Sequence, residues 1–235
     1  PSMSETARFR LPLLEAGQAQ KHVTVNEALA RADCLAAGRV EELGRTTPPE
    51  TPAEGTLWGV GPGATGAFAG QDGRMALFLG GGWSFADPWE GWRLWEAATA
   101  RDWRHGPGGW VTADAASPGG ASTALAIAET EHALSAGPTS TTGPIIPDKA
   151  VVLGVTCRVT HTITGAASWQ LGVAGATDRY GSGFGTAAGA FAQGVTGQPQ
   201  AYYGATPLLL TAAGGEFSGG TVRLAVHYLA LTPPA

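Results

Sequence analysis

The sequence predicts a mainly β protein: an N-terminal arm and helix, a small Trp/Gly-rich antiparallel β domain, and a C-terminal β-sandwich of jelly-roll type. Three observations carry that expectation. The stretch "AVVLGVTCRVTHTIT" (150–164) is β-branched, and its Val155, Cys157, Val159, His161 and Ile163 alternate with polar residues, the period of a strand with one buried face. Thr56–Trp95 holds five of the chain's eight tryptophans and ten glycines, a pattern of short strands broken by turns. Charged residues make up only 14% of the 235 residues against 43% hydrophobic ones, so Ser, Thr, Gly and Ala must cover much of the surface, as in extracellular β proteins.

Taken in order, residues 1–23 show no sustained period. Phe9, Leu11, Leu13 and Leu14 sit in an extended, proline-containing arm that cannot bury itself and must pack on the next domain or on another chain. A helix follows. Thr24 is its expected N-cap, Glu27 completes a capping box, Val25, Ala28, Leu29, Ala32, Leu35 and Ala36 recur at helical spacing, and Gly38 is the expected stop. This arm and helix form a first segment, 1–45. Residues 46–112 form the Trp/Gly-rich domain, with strands expected at "TLWGV", "GAFAG", "RMALFLG", "GWSFADP", "GWRLWEA" and "GWVTA" in one small antiparallel sheet. Residues 113–120 read as a linker. Residues 121–235 form the sandwich: "TALAIAETEHAL" is open between helix and strand, and "SWQLGVAG", "GAFAQGV", "QAYYGAT", "LLLTAAGG" and "TVRLAVHYLAL" add strands at regular spacing.

The net charge of −5 argues against a nucleic-acid partner, which would need a basic face, and gives no attraction to an anionic membrane. No run of eighteen apolar residues marks a membrane span and no basic-then-apolar start marks a secretory signal. Cys34 and Cys157 lie far apart in unlike settings; two buried, reduced thiols fit better than one disulfide. Catalytic patterns are missing as well. The five histidines have no zinc-ligand spacing, no GxSxG elbow occurs, and "GVGPGATG" lacks the Lys-Ser/Thr end of a phosphate loop. "GSGFGTAAG" sits among strands as a loop. Asp87 and Glu90 read as turn residues, and His161 and His227 as structural histidines within strands. The expectation is a protein without catalytic residues, metal or cofactor.

The aromatic residues remain. Trp and Tyr stack their apolar faces on the C–H face of a pyranose while neighbouring polar groups bond its hydroxyls. Trp58, Trp83 and Trp92 are needed to fill the core of a sheet poor in Leu and Ile. Trp89 and Trp95, beside the "DPWEG" turn, are the better candidates for exposure. In the C-terminal domain, Trp169, Asp178, Arg179, Tyr180, Tyr202 and Tyr203 lie on or beside the loops "GATDRYGSGFG" and "GQPQAYYGAT". These eight residues are the candidate saccharide contacts.

"LPLLEAGQAQKHVTVNEAL" is similar to the opening motif of a family of phage, prophage and gene-transfer-agent structural proteins. "GTLWGV" and "ATGAFAGQDGRMALFLGGGWSFADPWEGWRLW" resemble the Trp/Gly segment that follows it there. "IPDKAVVLGVTCRVTHTITGAASWQLGVAG" and "TVRLAVHYL" resemble a C-terminal domain often attached to it. The resemblance implies a component of a phage-like particle, a head spike or fibre or a tail fibre, that adheres to the capsular polysaccharide of a recipient cell without catalysis. No binding residue carries over from it position by position. It implies a place on the particle surface, with synthesis in the bacterial cytoplasm and release by lysis. It also implies other particle proteins as partners, and a symmetric homo-oligomer, a trimer first and a pentamer second. Residues 1–45 would attach the chain, and the sandwich would carry the receptor contact. A structural connector without ligand is the competing class and a glycan-degrading tail enzyme the third. Loss of particle assembly on deletion marks the connector, and oligosaccharide release from capsule marks the enzyme.

Overall fold

The structure, a computed structural model, describes residues 5–14 and 21–234, with the backbone alone for 21–23. Residues 1–4 and 15–20 of the expected arm lie outside the described residues. The chain divides into two compact units, residues 1–113 and 114–235. The segments 1–45 and 46–112, separate in the sequence reading, fall in one unit.

The first unit begins with an arm. Glu5 bridges Pro12, and Thr6 closes the turn by donating to the Leu11 carbonyl at 3.0 Å. Helix α1 (Lys21–Ala36) follows. It starts three residues before the expected cap, so Thr24 lies inside it and no capping box forms there. Its buried face is also rotated from the expected one: Asp33 and Cys34 are buried and Val25, Ala28, Ala32 and Ala36 are exposed, while Leu29 and Leu35 of the expected face are half-buried, Leu35 against the core. The cause is polar. The Asp33 carboxylate accepts the backbone amides of Arg8 at 2.7 Å and Phe9 at 2.6 Å, so the helix turns this carboxylate, rather than its alanines, inward. Arg8 adds a bond to the Gly55 carbonyl and an ion pair with Glu41, fastening the arm to its own unit. The helix ends at Gly38, whose φ of +63° suits glycine.

Among its described residues this unit also has seven short strands: β1 (Arg39–Val40), β2 (Thr56–Gly59), β3 (Met75–Leu79), β4 (Gly82–Ala86), β5 (Arg93–Glu96), β6 (Arg101–Gly106) and β7 (Gly109–Val111). They form two sheets, β2-β3-β4 and β1-β5-β6-β7, not the single antiparallel sheet expected, and β1 pairs with β5 in parallel. β6, "RDWRHG", carried no strand signal. "GAFAG" is no strand but a 3-10 turn (Gly66–Phe68) closed by bonds from Phe68 to Thr65 and Ala69 to Gly66. The turn drops Phe68, fully buried, onto the sheet. The β2-β3-β4 sheet is therefore covered on both faces. Leu57, Met75, Leu77 and Ala86 join Cys34, Val40, Trp92 and Leu94 on one side; Ala76, Trp58, Trp83 and Phe85 surround Phe68 on the other.

The second unit holds β8 (Ala115–Ala116), β9 (Ser122–Ala133), β10 (Thr139–Ile146), β11 (Val151–Thr164), β12 (Ser168–Gly172), β13 (Phe191–Ala201), β14 (Thr206–Ala213) and β15 (Gly219–Thr232). β8 lies within the segment read as linker. "TALAIAETEHAL" resolves as strand, because β9 pairs with β15 without a break from Ser122–Thr232 to Ala133–Thr221. "QAYYGAT" is a turn between β13 and β14 rather than a strand. The two antiparallel sheets, β10-β14-β12 and β13-β11-β15-β9-β8, share one core. Val155, Cys157 and Val159 of β11 meet Val222, Leu224 and Val226 of β15 there, together with Leu208 and Leu210 of β14 and Leu171 of β12. His161 departs from the expected alternation. The ladder with β15 shifts register on both sides of it, and the side chain points outward.

Candidate functional site

Three of the six C-terminal candidates are in the core. Trp169, Tyr180 and Tyr202 are at most 7% exposed, so none is available to a saccharide. Each buried polar tip is satisfied. The Tyr180 and Tyr202 hydroxyls share a hydrogen bond of 2.8 Å, and the Trp169 indole N–H donates to the Gly185 carbonyl at 3.0 Å. The loop behind Tyr180 lies against β13 where Gly194 leaves room: a Cβ there would come within 2.2 Å of the Tyr180 carbonyl oxygen. Burial and the bond from Tyr202 push the Tyr180 hydroxyl pKa above its ordinary value. Loop aromatics that looked like contacts are thus the plug of the sandwich. Asp178 and Tyr203 are exposed, Tyr203 to 90%, and Arg179 is half-buried. The adjacent tyrosines do point opposite ways, Tyr202 inward and Tyr203 outward.

In the first unit, Trp89 and Trp95 are 51% and 41% exposed. They do not form one platform. Trp92 and Leu94 are buried while Arg93 and Trp95 are exposed, so Trp95 points away from the Trp92 side of its strand. Trp89 belongs to the Trp92 side. The two rings lie parallel, with centroids 4.0 Å apart and 6° between planes. Trp92 continues the aromatic row to Trp110 at 5.8 Å, and Trp110 to His105 at 5.0 Å. The Gly91 turn makes the stack possible: Trp92 donates its amide to the Trp89 carbonyl and Gly91 to that of His105. One face of Trp89 is covered by a buried ring, so its exposure comes from the opposite face and its edges. That is a fixed, flat apolar surface. Asp87, ion-paired to Arg74 at 2.7 Å, and exposed Glu90 flank it in sequence.

The sequence reading missed a second surface, the outer face of the β13-β11-β15-β9-β8 sheet. A depression of about 350 Å³ there is lined by Glu129, Thr156, Arg158, Phe191, Gln193 and Arg223 among others. The Arg158 guanidinium lies 5.8 Å over the Phe191 ring, and Arg223 stands 3.9 Å from both Glu129 and Glu131. These residues are scattered over four strands; only strand register brings them together. The thiols take no part in either surface as nucleophiles. Burial pushes Cys34 up to about 11 and Cys157 to about 12, and both are free. Among the described residues, no helix is long and apolar enough to cross a membrane.

Residues 25–111, the first unit without its arm, match a family described as "Protein of unknown function (DUF2793)". No curated protein matches the chain. Among solved structures, the chain is similar to one in the "Cyanophage Pam1 capsid asymmetric unit". The likeness has 24% identity, spans 47% of this chain and 86% of that one, and has a TM-score of 0.32.

Proposed function

We propose that the protein is a non-enzymatic adhesion component of a phage-like particle, in which the Trp89 face contacts a cell-surface polysaccharide. The observation that carries the reading is the Trp89–Trp92 stack. A tryptophan held flat on a buried ring loses little rotamer freedom when it binds. That favours the weak, repeated stacking on which polysaccharide contact depends. The resemblance of residues 11–29 and 55–95 to particle-surface proteins supports the setting. Other particle proteins are the expected attachment partners, and display in many copies would multiply a modest affinity.

The test is retention of the full-length chain on immobilised capsular polysaccharide. Trp89→Ala is expected to weaken retention at least tenfold with the circular dichroism spectrum unchanged, whereas Trp95→Ala leaves it near wild type. Wild-type retention by folded Trp89→Ala, or release of oligosaccharides from the capsule, overturns the proposal.

A further inference from the structure

The outer face of the five-stranded sheet carries an apolar surface unusual for an isolated sandwich. Leu125 (65% exposed), Ile127 (54%), Val195 (82%), Phe191 (62%) and Leu231 (63%) all point outward from it, joined by half-buried Leu229. Contiguous exposed apolar surface of this kind marks an interaction site. The sheet is four strands wide, β13 to β9, and about ten residues long where these side chains lie. It therefore offers on the order of 600 Å² per copy, near the ~800 Å² per partner of an ordinary interface.

The ladder registers lay this face out as rows across β11, β15 and β9. One row runs Arg158, Arg223, Glu131 and the next Thr156, Ala225, Glu129. Then come Gly154, His227, Ile127, and after the β11 register shift Val151, Leu229, Leu125. The rows are not symmetric. Basic or small groups lie on β11, and acidic or large apolar groups lie on β9. Arg158 stands directly opposite Arg223, a like-charge pair that is unfavourable in isolation. Arg223 reaches its own carboxylates only at 3.9 Å.

We propose that this face binds the same face of a second copy of the chain, about a two-fold axis running along β15. Such an axis exchanges β11 and β9 and keeps each row level. Arg158 then meets Glu131 of the second copy. Glu129 of the second copy enters the depression beside Thr156, Ile127 lies over the side-chain-free Gly154, and Leu125 lies over Val151. Arg223, on the axis, meets its own counterpart within a ring of four carboxylates. The ~30° angle between stacked sheets displaces the paired positions by about 3 Å in the two middle rows and about 6 Å in the two end rows, where only long side chains such as Arg158 and Glu131 still reach one another.

The experiment is charge exchange read by sedimentation equilibrium of the full-length chain. Wild type is expected as a dimer. Arg158→Glu and Glu131→Arg are each expected to raise the dimer dissociation constant at least tenfold, and the double exchange to restore it to within about threefold of wild type. Independently, Ile127→Asp, an exposed position placed over Gly154 of the second copy, is expected to raise the dimer dissociation constant at least tenfold with the circular dichroism spectrum unchanged. Four results each overturn the inference: a wild-type monomer, an oligomer indifferent to both reversals, reversals that the double exchange does not rescue, or folded Ile127→Asp that dimerises like wild type. Because no glycan enters the assay, its outcome is independent of the Trp89 proposal.

Discussion

The two units bury their cores by different means. The first has strands of two to six residues; its core depends on tryptophans around Phe68 and on buried carboxylates that gather backbone amides. Asp33 binds the arm in this way. Glu96, 3% exposed, does the same between strands, accepting the Leu43 amide at 2.6 Å, the Trp103 indole at 2.9 Å and the Thr99 hydroxyl. The second unit has strands of up to fourteen residues and an aliphatic core clamped between two sheets, with few buried charges. Short strands cannot close a core by ladder bonds alone, so the first unit uses directional polar clamps where the second uses area. The first should therefore fail through lost hydrogen bonds and the second through lost volume.

The largest test of that difference is Trp169→Ala. Removing a 1%-exposed indole from the sandwich is expected to cost about 3–5 kcal/mol, with protection lost across 114–234 in hydrogen-exchange mass spectrometry and retained across 24–113. Equal loss in both units would mean that they do not differ as described. Asp33→Ala is the mirror experiment. It strands the Arg8 and Phe9 amides and is expected to cost about 2–3 kcal/mol, confined to the first unit and read in the same exchange profile. A uniformly small effect would show that the clamp is incidental.

Gly194→Ala sharpens the volume side of the contrast. The added methyl meets the backbone of Tyr180, which cannot swing aside, so about 1–3 kcal/mol of sandwich stability is expected to go, measured by urea titration. A neutral substitution would show that the Tyr180 loop yields.

What was legible in the sequence follows the same division. β11 and β15 announce themselves because period-two alternation is local and runs for more than ten residues. β6 does not, because "RDWRHG" is a strand only where Trp103 can reach Glu96, seven residues back across a turn. β10 is hidden for the same reason. "TSTTGPII" is polar and proline-containing, and its pairing with β14 spans sixty residues or more. For the site, the Trp89–Trp92 stack turns on one glycine and was within reach of a sequence argument. The burial of Tyr180 and Tyr202 was not, since their hydroxyls pair between positions twenty-two apart in the chain. Nor was the outer face of the sheet, which exists only once register aligns β13, β11, β15 and β9.

The smallest expected effect concerns the polar exception inside the second unit. His132 on β9 is held below its ordinary 6.5 by burial, and its Nε2 lies 2.8 Å from the Ser140 hydroxyl, which also accepts the Ser135 amide. A histidine with a lowered folded pKa takes up its proton more readily when unfolded. Its neutral form therefore contributes fully above pH 6.5, and the contribution is lost as the pH falls from there through the folded value. Acid should thus loosen the sandwich in a window beginning near pH 6.5, and His132→Gln should flatten that slope. Urea midpoints between pH 5 and 8 measure both. A wild-type midpoint that stays level or rises below pH 6.5, or a slope that His132→Gln leaves unchanged, would remove His132 as its source.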